Sequence, residues 1–301
     1  MIYGSHEQQY HDLSLYIEKI RRTNPGTEVC IHTDEGMFTR LFIAYRLCIM
    51  EFVNGCRPLI GIDGTVLKRK YQGILLCAIA VDANNGLFPL AFTVIEKENY
   101  QSRYWFLSIL NVYFPGSRYN YLTSNMVESF NAWILSAREK LIITMCEEIR
   151  IQLMTKFEEK RELGNTWSSM LVPKAQELLD MRKMKARFLH KVISVIDTLF
   201  EIHYLGKKYA IDLMQLTCSC RKWKLSGIPY GHAIAAINHM HMDPTVYCLK
   251  YFTVEYFRKA FETPFALVPD DIELTGIYNR TVLPPRTTRL PDRPKKQRRI
   301  S

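Results

Sequence analysis

The chain has 301 residues, 48% of them hydrophobic and 12% aromatic, enough to bury one large core or two modest ones. No apolar run approaches the roughly 20 residues of a membrane span, no signal peptide opens the chain, and of eight scattered cysteines only one pair is tightly spaced; neither a membrane span nor a disulfide framework is expected, and a soluble protein of a reducing, intracellular compartment is. Net charge is +10, and the last 21 residues carry seven basic side chains against Asp292 alone, which suggests nucleic acid or a nuclear import signal more than a uniformly basic enzyme surface.

Residues 5 to 22 read as a helix, with Ser5 and Gln8 at capping-box spacing and Tyr10, Leu13, Ile17 and Ile20 in one stripe. Asn24-Pro25-Gly26 stops it. Glu28 to Thr33 alternates as a strand does, Asp34-Glu35-Gly36 turns the chain, and Phe38 to Val53 mixes a strand with a helix ending at Asn54-Gly55. His6, His11 and His32 have no metal spacing and read as surface residues.

Three apolar runs follow: Leu59 to Leu67, Gly73 to Val81 and Leu87 to Ile95. Asn84-Asn85-Gly86 lies between the second and third, and an Asn-Gly pair there predicts a hairpin in which both central residues take positive φ. Asn99 can cap a helix carrying Tyr100, Tyr104, Trp105, Leu107 and Leu110. The local plan is three antiparallel strands, then a helix. Asp63 interrupts the first strand, and a carboxylate inside an apolar run is costly to bury without a cation or donors. Two readings stand: a strand-end aspartate bonding local amides, or a metal-binding acid on the central strand of a ribonuclease H-like sheet.

The wording of this stretch, IDGTVLKRKYQGILLCAIAVDANNGLFPLAFTVIEKEN, resembles the transposase domain of plant Mutator-like elements (MULE transposases). The resemblance implies that Asp63, in the IDGT segment, is the first acid of an Asp-Asp-Glu triad that holds Mg. Further on, Asn125 and Glu128 make a capping-box variant opening a long helix, whose stripe of Phe130, Ile134, Ala137, Leu141, Met145, Ile149, Leu153 and Phe157 is core. Glu128 is either that cap or, since TSN-x-x-ESFN looks like the family's acid-bearing helix, the third triad acid. The family places a further strand with the second aspartate, a Cys/His pair and a helical insertion before that segment. Here about a dozen residues join the two, and no Asp or Glu lies between Glu98 and Glu128. Two-metal chemistry needs acids on both sides of ions about 4 Å apart, so transposition chemistry is expected to be lost. Asp82, beside the Asn-Asn-Gly turn, is better explained by turn chemistry.

Residues 173 to 191 form a basic helix with Arg182, Lys183, Lys185 and Arg187, either a solvated face or a phosphate-contacting one; residues 192 to 216 read as short strands. Cys218 and Cys220, one residue apart at a hairpin tip, can grip one zinc, and His232 stands at the start of an apolar helix, Ala233 to Ile237. The segment resembles the SWIM (PMZ-type) zinc finger, with pattern Cys-x-Cys, a spacer, then Cys-x-His. The resemblance implies zinc on Cys218, Cys220 and His232, with Tyr230 where the third cysteine belongs. A water, His239 or His241 can be proposed as fourth ligand, although seven residues of helix set His239 about 10 Å from His232 along the axis. A metal-free fold with the cysteines packed as small apolar groups is the other reading. The aromatic run of residues 245 to 262 is core. From 263 a Pro-containing linker leads to the tail, where Pro291-Asp292-Arg293-Pro294-Lys295-Lys296 resembles an AT-hook core with Asp292 in place of glycine; nonspecific DNA contact or nuclear localisation through Arg293, Lys295, Lys296, Arg298 and Arg299 is expected.

The fold class expected is α/β of the α+β kind. It comprises a lead-in (1–58), a partial ribonuclease H-like core of three antiparallel strands plus helices (59–111), a helical region (112–190), a small SWIM-type ββα zinc module (191–262) and the linker with its basic tail (263–301). The function expected is DNA binding in the nucleus by a MULE transposase-derived protein without transposition activity. An active Mg-dependent transposase and a protein-interaction module built on the SWIM hairpin are the alternatives.

Overall fold

The computed structural model describes residues 4–68, 70–120, 129–130, 132–187, 191–269 and 281–286. Ser5 caps helix α1 (His6–His11), its hydroxyl accepting from the Gln8 amide at 3.3 Å. Asp12 ends that helix and α2 (Leu13–Thr23) follows at once, so the single helix expected over 5–22 is two short ones. Tyr10, Leu13, Ile17 and Ile20 are buried all the same. Strands β1 (Glu28–Asp34) and β2 (Met37–Ala44) form a hairpin in which Glu35 and Gly36 take φ of 49° and 80°, the pair of positive values that matches strand twist. Helix α3 (Arg46–Gly55) follows.

Next come β3 (Leu59–Val66), β4 (Ile74–Val81), β5 (Leu87–Ile95), helix α4 (Tyr100–Tyr113) and β6 (Arg118–Asn120). The three antiparallel strands and the Asn99 cap, which accepts from Ser102 N at 2.8 Å, are as expected. Two features are not. The sheet has six strands, ordered β1-β2-β5-β4-β3-β6, so the lead-in hairpin joins it at one side. The other edge is β6, which runs parallel to β3 after a helical crossover. The β4–β5 turn also differs: Asn85 takes φ of 61°, but Gly86 is not at positive φ. The reason is Asp82, fully buried, whose Oδ1 accepts from the amides of Asn84 (2.9 Å) and Gly86 (2.6 Å) and so shapes the loop. Gly86 supplies room instead, since a Cβ there would stand 2.5 Å from Asp82 Oδ2 and Lys160 Nζ.

The long helix expected from residue 125 is interrupted. Residues 129–130 and 132–134 are helical, Ala137–Glu139 is a 3-10 turn, Leu141 is extended, and helix α5 (Ile142–Asn165) begins only then. Leu141 offers no capping oxygen. Gln9 of α1 does so from across the core: its Oε1 accepts from Ile143 N (2.9 Å) and Thr144 N (3.3 Å), and its Nε2 donates to Thr144 Oγ1 (2.9 Å). The apolar stripe from Phe130 to Phe157 is core as read, with Leu141 half-buried. Helix α6 (Pro173–Ala186) follows. At the chain's centre Phe88, Phe157, Phe261 and Phe265 pack ring on ring at 5.2–5.4 Å. The stretch read as a linker makes specific contacts of its own: Phe265 and Val282 are buried, and Leu283 exchanges backbone bonds with Gly36 and Phe38.

Strands β7 (Lys191–Ile196), β8 (Leu199–Tyr204), β9 (Lys207–Asp212) and β10 (Thr217–Cys218) form a second antiparallel sheet, ordered β10-β9-β8-β7. Helices α7 (Lys222–Ser226) and α8 (Gly231–His239) pack on it around Phe200, Ile202, Ile211, Trp223, Ala233 and Ile237. The ββα unit expected here is thus a four-stranded sheet with two helices. The final helix, α9 (Val254–Lys259), returns to the first core, where α3 approaches so closely that a Cβ on Gly55 would sit 2.3 Å from that of Ala260. Among the described residues no helix is long and apolar enough to cross a membrane.

Candidate metal centre

Sulfur and imidazole meet where β10 ends and α8 begins. Cys218 pairs with Ile211 of β9, and the next residue extends the ladder, Ser219 N donating to Ala210 O at 2.9 Å. Arg221 N then returns to Cys218 O at 2.8 Å, with Arg221 at φ 59°, which curls the Cys218-Ser219-Cys220 segment into a tight loop. Trp223, 1% exposed, anchors α7 in the module's core. Gly227 ends that helix at φ 72°, and a Cβ there would press on Phe252 and Leu249 at 2.8 and 2.9 Å. Pro229 and the extended Tyr230 lead into α8, whose second residue is His232.

This route brings one donor atom each from Cys218, Cys220 and His232 within 4.8 Å of one another. Cys218 Sγ and His232 Nδ1 are 3.8 Å apart. A tetrahedral zinc with bonds of 2.0–2.3 Å holds its donors roughly 3.5–3.8 Å apart, so the cluster needs only slight contraction to grip one. Burial pushes the Cys218 thiol up and the His232 imidazole down, Lys222 adding to the latter. A divalent cation reverses the first effect by binding the thiolate, and the second already favours the neutral, ligating imidazole. The residues fit zinc, which on this set would tie β10 to α8.

Around the donors lies a shell that local spacing did not reveal. The Tyr209 ring stacks on the His232 imidazole, centroids 3.7 Å apart and planes 16° from parallel. Tyr230, at the place of the expected third cysteine, is engaged with cations: its ring lies 4.6 Å from Lys222 Nζ and 5.1 Å from the Arg182 guanidinium, and its hydroxyl is 3.5 Å from Lys222 Nζ. Arg182, from the basic helix α6, also donates to Ile228 O (2.6 Å) and Ser226 Oγ (3.0 Å). It holds the loop before α8, which is neither of the two roles the basic helix suggested. His239 rests edge-on against Phe200, and neither it nor His241 joins the donor group.

Asp63 sits mid-strand in β3, opposite Cys77 of β4. Its Oδ2 is buried without a hydrogen-bond partner. Among the described residues Cys218, Cys220 and His232 are the one group of three or more His, Cys, Asp or Glu side chains placed to share an ion, so Asp63 belongs to no such set. Glu128 and the basic residues Arg293, Lys295, Lys296, Arg298 and Arg299 lie outside the described residues.

Residues 200–241 match the family model of the SWIM zinc finger, which spans β8 to the end of α8 and contains all three donors. No curated protein and no solved structure matches the chain.

Proposed function

We propose that this chain is a nuclear DNA-binding protein derived from a MULE-type transposase, in which a zinc-held SWIM module sits beside a nuclease-like sheet too poor in acids for transposition. The convergence of Cys218, Cys220 and His232 within 4.8 Å, inside a SWIM zinc finger, carries the metal-dependent part. The DNA-binding part is supported by a net charge of +10 concentrated at the C-terminus. The transposase ancestry is supported by the order β5-β4-β3-β6, in which three antiparallel strands and a helix lead to a strand parallel to the first, with Asp63 on that first strand. β6 stands where the strand bearing the second acid would be sought, and neither it nor the seven residues between it and Glu128 hold an acid in this sequence.

Binding of a labelled duplex by the full chain, with zinc and then with a chelator, tests the reading. Binding should fall steeply with salt, and chelation should destabilise residues 191–262. One observation favours the active transposase instead: the buried, unpartnered Oδ2 of Asp63 is what a metal ligand looks like without its ion. Nicking of terminal-repeat DNA that needs Mg and vanishes in Asp63→Asn would establish that alternative.

A further inference from the structure

Structural zinc sites close with four ligands, and sites with three protein ligands keep a position that a molecule from outside can take. Cys218, Cys220 and His232 supply three, and no further His, Cys, Asp or Glu among the described residues stands with them. Tyr230 holds its place beside two cations, with its hydroxyl toward Lys222. Cys220 is only half-buried, so the centre is open to solvent on its side.

We infer that this centre takes its fourth ligand from outside the chain and that the ligand is a thiolate. The inference rests on the zinc reading above and adds to it a binding partner. Charge is the first argument. Two cysteine thiolates cancel a zinc ion, and Lys222, exposed and with its Nζ 4.6 Å from the Tyr230 ring, supplies the positive charge that a further anion would meet. Softness is the second: a set already holding two sulfurs favours sulfur over a carboxylate or water. The entering thiol binds as its anion, the sulfur lone pair making the bond to the metal and the proton passing to solvent. The source is either a small free thiol or a cysteine of another protein molecule.

The test is the visible spectrum of the full chain loaded with cobalt(II) in place of zinc and kept reduced by a phosphine. In one arm 2-mercaptoethanol and then glutathione are titrated in. In the other the chain is concentrated with no thiol added, which reports a cysteine from a second copy. Saturable growth of sulfur-to-cobalt bands in either arm is the expected result, and the arm identifies the source. Tyr230→Cys should show bands of the full, thiol-saturated strength from the outset, ignore added thiol and bind zinc more tightly than the wild type. Tyr230→Phe, which keeps the ring and its cations, should respond as the wild type does. Bound cobalt with a spectrum indifferent to thiol in both arms would overturn the inference while leaving the zinc reading intact. So would a thiol response that appears only in Tyr230→Phe and not in the wild type, which would make the phenol the ligand. Failure of the wild type to bind metal at all would sink the zinc reading itself.

Discussion

The Tyr209 ring lying flat on His232 fixes the imidazole plane as outer-shell partners fix metal ligands. Tyr209→Ala should therefore weaken zinc affinity about tenfold in a competition titration, and Tyr209→Phe should leave it nearly unchanged. Glu51 gives a pH prediction. Its side chain is 4% exposed, and burial raises its carboxyl above the usual 4.5, against the opposing hydrogen bond from Thr263. A raised carboxyl favours the protonated form in the folded state. Its contribution is thus fully present below pH 4.5 and lost as pH rises through the raised value. Glu51→Gln, which still accepts from Thr263, should match the wild type in acid and exceed it in urea midpoint toward neutrality. An equal midpoint at all pH values would refute this. At this scale the sequence disclosed the candidate donors and hid their supports. Cys218, Cys220 and His232 fall within fifteen residues, in a spacing that suits a zinc finger. Arg182 reaches Ile228 from forty-six residues away, and in sequence it is indistinguishable from its solvated neighbours.

Elements were legible where a continuous apolar run between turn residues or a local cap defined them. The runs around Asp63 became β3, β4 and β5 with ends shifted by at most a residue, because apolar runs and the turn residues that bound them act within a few positions. The interruption before α5 was not legible, because the residue that satisfies its first amides is Gln9, more than 130 positions earlier. A helical stripe from Phe130 to Phe157 looks the same whether or not the backbone breaks at Leu141. Gln9→Ala leaves the Ile143 amide without its partner and should cost about 1–3 kcal/mol in urea unfolding. Gly55→Ala tests the close approach of α3 to Ala260 at the end of α9. Its Cβ would meet Ala260, and about 1–3 kcal/mol of destabilisation is expected from the overpacking.

At the scale of the whole molecule the chain joins a six-stranded sheet, a smaller SWIM-containing sheet and a basic C-terminus. The six-stranded sheet was half visible in sequence: its three central strands were plain, whereas β6 is three residues long and the lead-in hairpin is recruited only by pairing with β5. Charge bears most directly on function. Residues 287–301 hold six basic side chains against Asp292, while Val282 and Leu283 just before them are docked on the body. A chain ending at Arg286 should therefore keep its fold and lose DNA affinity. The measurement that decides is fluorescence anisotropy of a labelled duplex across a salt series, full chain against the chain ending at Arg286. The expected result is a linear fall of log K with log salt for the full chain, and a slope shallower by up to about four to five for the shortened one, at roughly 0.9 per phosphate contact. Absence of binding at low salt, or binding indifferent to salt and to the tail, would contradict the proposed DNA-binding role.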